Sequence, residues 1–323
     1  MLQPNVPALI LAPMEGVTDA PMRAVQGETG AFTFAVSEFL RVSQYVPSRT
    51  SFFRHVPELQ HGGRTPTGLP VQVQILGGHA GRMGETAAMA CAVGAAAVDI
   101  NFGCPARTVN RHDGGATLLK HPERIREIVR AVRDAVPPQI PVSAKVRLGW
   151  DCVDAIFENA KMAAEGGASW LTIHARTRSQ GYAPPVNWAL IGQVRERLGI
   201  PVVANGDIWS LDDFHRCREM TGCIHFMMGR GVLATPGLAR QVAGELGLVR
   251  KTEEPEPPID WLKQMQRLVD CTAGIDSLRV EGVLHRMKQW LQLAARFGKF
   301  ERFDQVKRAR STAELLALLG NVA

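Results

Sequence analysis

A (β/α)8 barrel followed by a small all-helical domain is the fold that this sequence predicts. Three observations carry the prediction. Eight apolar runs rich in Val, Ile, Leu and Ala recur between residues 8 and 231. Most are continuous rather than alternating, as parallel strands covered on both faces should be. Segments with helical spacing lie between them.

In chain order the runs are ALILAPM (8–14), FTFAVSEF (32–39), PVQVQILG (70–77), AAVDINFG (96–103), PVSAKVRLG (141–149), WLTIHART (170–177), PVVANGDI (201–208) and CIHFMMGRG (223–231). The clearest helices are PERIREIVRAVRDAV (122–136) and DAIFENAKMAAEGG (154–167), the second closed by a glycine pair suited to a left-handed cap. A doubly wound open sheet would carry a glycine-rich turn after its first strand. Here that strand ends in APMEG, and GxGxxG is absent from the chain. Residues 47–69 form a long insertion carrying Arg49, Arg54 and Arg64, either a lid or a surface excursion. The barrel should span residues 1–245. Residues 246–258, with RKTEEPEPP at 250–258, read as a linker. Residues 259–323 return to helical apolar spacing.

Composition excludes several classes of function. With 46% hydrophobic and 21% charged residues, the 323-residue chain has the makeup of a folded soluble protein. No apolar run reaches the roughly 20 residues of a membrane helix, so no membrane partner is expected. The N-terminus lacks the basic region of a secretory signal. Six cysteines without CxxC suggest free thiols in a reducing cytoplasm, and nine histidines without HExxH give a metal no support. The net charge of +6 is matched by residues 279–310, which hold nine Lys/Arg against three Asp/Glu. That surplus fits either a polyanion-binding face or a solvated helix surface.

In a barrel the working face lies where the strands end. Those ends deliver Pro13–Met14–Glu15, Glu38 and Arg41, Gln74, Asn101 and Cys104, Lys145 and Arg147, His174 and Arg176, Asn205–Gly206–Asp207, and Gly229–Arg230. Lys145 interrupts SAKVRL, where a buried ammonium needs an anionic ligand or a strand carboxylate such as Asp99. NGDI and GRG follow the seventh and eighth strands, where barrels commonly hold phosphate on backbone N–H groups. His174 is either a satisfied core histidine or, beside such a pocket, a ligand contact. Together these residues suit a phosphorylated, ring-containing cofactor, and flavin mononucleotide (FMN) fits better than a dinucleotide.

The motifs LAPMEGVTD (11–19), VQILG (73–77), DINFGCPARTV (99–109), GGATLL (114–119), KVRLGW (145–150), HARTRSQGY (174–182), NGDIW (205–209) and MMGRG (227–231) make the chain resemble the tRNA-dihydrouridine synthases over essentially its whole length. EFLRV (38–42), PELQ (57–60), RTPTG (64–68), GWD (149–151) and MKQWL (287–291) are similar to the bacterial C subfamily, which reduces the uridine at tRNA position 16. The family loop usually reads N-C-G-C-P-S, from which Phe102 and Ala106 depart while Cys104 is kept.

The resemblance implies a monomeric, cytoplasmic, FMN-containing oxidoreductase fed by NADPH, with NADH as an alternative donor, and tRNA as partner. It carries FMN contacts to Pro13, Met14, Glu15, Gln74, Lys145, His174, Asn205, Gly206, Asp207, Gly229 and Arg230. It makes Cys104 the proton donor to uracil C5, opposite a hydride delivered to C6 from flavin N5. A thiol with ordinary pKa near 8.5 stays protonated at neutral pH, as an acid must. RNA contacts would fall on Arg41, Asn101, Arg147, Tyr182, Lys288, Trp290 and Arg296, with Asn101 facing the uracil edge and Trp290 stacking. Two rivals remain: an FMN-dependent reductase of free pyrimidines or other small unsaturated substrates, and a catalytically dead barrel that binds RNA.

Overall fold

Eight parallel strands close into a barrel in sequence order, with β8 hydrogen-bonded back to β1. They are β1 (Ala8–Leu11), β2 (Phe34–Arg41), β3 (Val71–Leu76), β4 (Val98–Asn101), β5 (Val142–Arg147), β6 (Leu171–His174), β7 (Val202–Asn205) and β8 (His225–Met228). The computed structural model describes residues 1–251, 258–275 and 282–321. Seven strands fall inside the predicted runs; β2 continues two residues further, through Arg41. Residues such as Val71, Val73 and Ile75 are fully buried, because helices cover one face and barrel side chains the other.

Around the barrel lie α1 (Ala20–Gly27), α2 (Arg49–His55), α3 (Ala80–Ala92), α4 (Arg107–Asn110), α5 (Pro122–Ala135), α6 (Ala155–Glu165), α7 (Trp188–Arg197), α8 (Leu211–Thr221), α9 (Arg230–Ala234) and α10 (Leu238–Glu245). In α5, Ile125, Ile128, Val129 and Val132 form one buried stripe, and Pro122 sits in the first turn, where no N–H is needed. α8 starts with a Ser210–Asp213 capping box and ends at left-handed Gly222.

The 47–69 insertion is neither a lid nor a free excursion. Phe52 and Val56 are fully buried, and Glu58 receives both Nε and Nη2 of buried Arg23 at 2.8 Å. That bidentate pair, buried on both sides, fixes the insertion against α1. Breaking one partner would strand the other charge.

Beyond α10 come α11 (Trp261–Ala273), α12 (Val283–Phe297), α13 (Phe303–Val306) and α14 (Thr312–Gly320). Of the expected linker, 252–257 lie outside the described residues, as do 279–281 of the basic segment. Met265, Leu268, Met287 and Leu291 share one apolar cluster with Met22 and Val25 of α1 and Leu233 of α9. The helical region therefore has no core separate from the barrel's outer wall.

Candidate active site

The C-terminal ends of the strands open into a cavity of about 960 Å³ including its mouth. Strand register sets Asn101 beside Lys145, and in a separate row Arg147, His174, Asn205 and Met227 follow one another around the wall. Cys104 and all eleven residues expected to hold a cofactor line this cavity: Pro13, Met14, Glu15, Gln74, Lys145, His174, Asn205, Gly206, Asp207, Gly229 and Arg230.

Cys104 owes its position to a chain of hydrogen bonds rising from inside the barrel. Buried Asp99 accepts from Ser143 at 2.5 Å and from Gln74 Nε2 at 2.7 Å. Gln74 Oε1 accepts from Asn101 Nδ2 at 2.9 Å, and Asn101 Oδ1 receives the backbone N–H groups of Gly103 and Cys104 at 2.9 and 2.5 Å. Asn101 itself lines the cavity, and its side-chain oxygen holds the loop in place. The half-buried Cys104 thiol has its pKa raised, chiefly by burial and in part by the Glu15 carboxylate. It is held as S–H, the form an acid needs.

Lys145 makes no ion pair with Asp99 among the described residues; its Nζ donates to Asn205 Oδ1 at 3.1 Å. Burial and then Arg147 lower its pKa to about 8. His174 is buried, and burial with the four neighbouring cations Arg147, Lys145, Arg176 and Arg230 holds it neutral. Its Nδ1 has no hydrogen-bond partner. Asp207 is gripped by Arg176, which is fully buried, and lies 3.3 Å from Arg230. The Arg230 guanidinium lies over Tyr182 at 4.5 Å, Trp209 at 5.0 Å and Phe297 at 5.3 Å. Trp209 in turn stacks on Phe297 at 4.6 Å, so the last residue of α12 reaches the cavity rim.

The expected RNA residues divide. Tyr182 is 57% exposed at the cavity, and Arg41 and Arg296 are exposed outside it. Arg147 lines the cavity but is 3% exposed and donates to the carbonyls of Gly103, Thr177 and Gly181. One assignment needs correction. Trp290 is 1% exposed in the helical core, and its indole N–H donates to Leu233 O at 2.8 Å, so no base can stack on it. Lys288 is half-buried and donates one hydrogen bond from its ammonium to Ala309 O at 2.6 Å. The sequence reading passed over Trp209 and placed Glu38 at a strand end without giving it a role; both line the cavity. The aromatic that ends NGDIW was the available signal for the first. The second needed its neighbours: burial and nearby Glu15 raise the Glu38 pKa to about 7. Among the described residues, no three His, Cys, Asp or Glu gather as a metal centre would require.

The dihydrouridine synthase family model matches residues 10–318 of the chain. A tRNA-dihydrouridine(16) synthase from Pseudomonas putida is 40% identical, covering 97% of this chain and 96% of its own length. One from Neisseria meningitidis serogroup B is 41% identical over 96% of this chain and 93% of its own. One from Aquipseudomonas alcaligenes is 44% identical over 89% and 90%. The barrel also resembles histamine dehydrogenase from Rhizobium sp. 4-9, with a TM-score of 0.56 at 14% identity over 82% of this chain and 49% of that one. An old yellow enzyme homologue from Zymomonas mobilis gives 0.51 at 13% identity over 78% and 93%. At such identities the likeness is one of fold.

Proposed function

The chain belongs to the dihydrouridine synthase family, and from that premise we propose that it reduces a uridine of tRNA, at position 16, to 5,6-dihydrouridine with FMN as resident cofactor and NADPH as reductant. The names of its relatives support the substrate and the position. The observation that carries the chemistry is Cys104, kept protonated and aimed by Asn101 at a cavity rich in anion and ring contacts.

The donor set fits FMN. Lys145 and Arg230 offer cationic hydrogen-bond donors, and His174 Nδ1 awaits a partner. Gly229 and Gly231 keep the backbone bare: a Cβ would meet Met14 Sδ at 3.0 Å at Gly229 and Ile208 O at 2.1 Å at Gly231. Glycine at these positions lets the turn after β8 pack against Met14 and the Ile208 backbone at the cavity wall. Pro13, Met14, Glu15, Gln74, Lys145, His174, Asn205 to Asp207, Gly229 and Arg230 would hold the cofactor. When bound, FMN supplies the hydride for uracil C6.

The chain's own residues do the rest. Cys104 Sγ holds the proton destined for C5, and Asn101 fixes the loop that presents it. Lys145, its pKa lowered to about 8 and so still mainly cationic at neutral pH, stabilises negative charge developing in the cavity. Tyr182 offers an exposed ring to an arriving nucleotide. A uridine must leave its stack to reach this depth, at a cost of a few kcal/mol that backbone contacts offset. Replacing Cys104 by alanine should leave flavin bound and reducible by NADPH while slowing uridine reduction about 10²- to 10⁴-fold in a single turnover. Wild-type single-turnover rates for Cys104→Ala would overturn the assignment.

A further inference from the structure

We propose that the loops following β2, β3 and β4 form a second phosphate-binding rim that grips the tRNA backbone beside the extruded uridine; the proposal rests on the tRNA reading above. Arg41 at the end of β2 and Arg49 and Arg54 on the following helix α2 lie exposed, and Arg107 and Arg111 are exposed after β4. The loops are one surface. Arg82, in the first turn of α3 just after the β3 loop, donates to Ser43 O of the β2 loop. Arg124 donates to Gly78 O at 2.7 Å and to Asp113 Oδ1 at 2.8 Å. Gly78 lies so close to the third loop that a Cβ there would stand 1.8 Å from Asp113 O.

The carboxylates that should balance five guanidinium groups are missing. Residues 39–57 and 77–84 contain none, and residues 102–121 contain Asp113, already held by Arg124. None of the five arginines forms an ion pair among the described residues. Unpaired like charges on one rim repel one another unless a polyanion meets them. Their location selects the polyanion. α4 begins three residues after Cys104, so a nucleotide whose base reaches that thiol brings its phosphates out past Arg107 and Arg111. The helical region seats against α1 and α9, at the β8–β1 seam. The rim spans β2 to β4 across the mouth, giving RNA a hold on both sides.

The test is the combined Arg49→Gln, Arg107→Gln, Arg111→Gln protein, with the corresponding Arg→Lys triple as control, titrated with an unmodified tRNA transcript between about 50 and 200 mM salt. The glutamine triple should bind about ten-fold or more weakly, and its log–log salt slope should shrink by about two. NADPH oxidation and kcat at saturating tRNA should hold near wild type, and the lysine triple should recover most of the affinity. Unchanged affinity and slope in the glutamine triple would overturn the rim while leaving the tRNA reading intact. A wild-type protein that fails to bind the transcript would overturn both. Loss of kcat or of flavin in either triple would mark a structural role and also overturn the rim.

Discussion

Asn101 holds the Cys104 loop through its side-chain oxygen and leans on Gln74 through its nitrogen, so the cysteine's aim depends on the barrel interior. Nothing in the loop's own sequence states that dependence. Glu38 is similar: an ordinary glutamate in sequence, it titrates near 7 because burial and nearby Glu15 penalise its charge. Between the ordinary value of 4.5 and about 7, the folded chain keeps a proton on Glu38 that the unfolded chain has released. Stability therefore falls as pH rises through that window, by up to about 3 kcal/mol. Urea unfolding at pH 5 and pH 8 should show this loss in the wild type and a smaller one in Glu38→Gln. Equal losses in the two proteins would show that Glu38 does not carry the dependence.

At the scale of elements, pattern predicted the strands well, because a parallel strand covered on both faces must be apolar throughout, whatever surrounds it. Surface segments were harder. MKQWL suggested an RNA-facing helix, yet α12 turns Trp290 inward to Leu233 O and ties Lys288 to Ala309 O. Arg302 likewise donates to the carbonyls of Leu318, Leu319 and Asn321, closing the end of α14. An amphipathic helix shows which residues share a face; its neighbours decide whether that face meets RNA or protein. Trp290→Phe, which strands the Leu233 carbonyl, should lower stability by about 1–3 kcal/mol. Its tRNA dissociation constant, measured well below the melting temperature, should stay within about two-fold of wild type. A variant with wild-type melting and lost tRNA affinity would restore the stacking role.

For the whole molecule, the shared cluster of Met22, Val25 and Leu233 with the C-terminal helices couples two regions that composition separates at a proline-rich, acidic stretch. Calorimetry should accordingly record one cooperative unfolding transition; two well-separated transitions would show the regions to be independent. Charge teaches the same lesson. Counted along the chain, the surplus falls within residues 279–310 and everything else cancels. In space, Arg286 of that segment meets Asp19 of the barrel at 3.1 Å, while arginines following β2 and β4 stand exposed without an ion pair among the described residues. By itself the sequence determined the barrel, its working end, Cys104 and the residues around it, because strand periodicity and strand ends are local properties. Tertiary structure alone decided what Asn101, Trp290 and Lys288 touch, how Glu38 titrates and where positive charge is free, because hydrogen bonds, desolvation and Coulomb forces act through space.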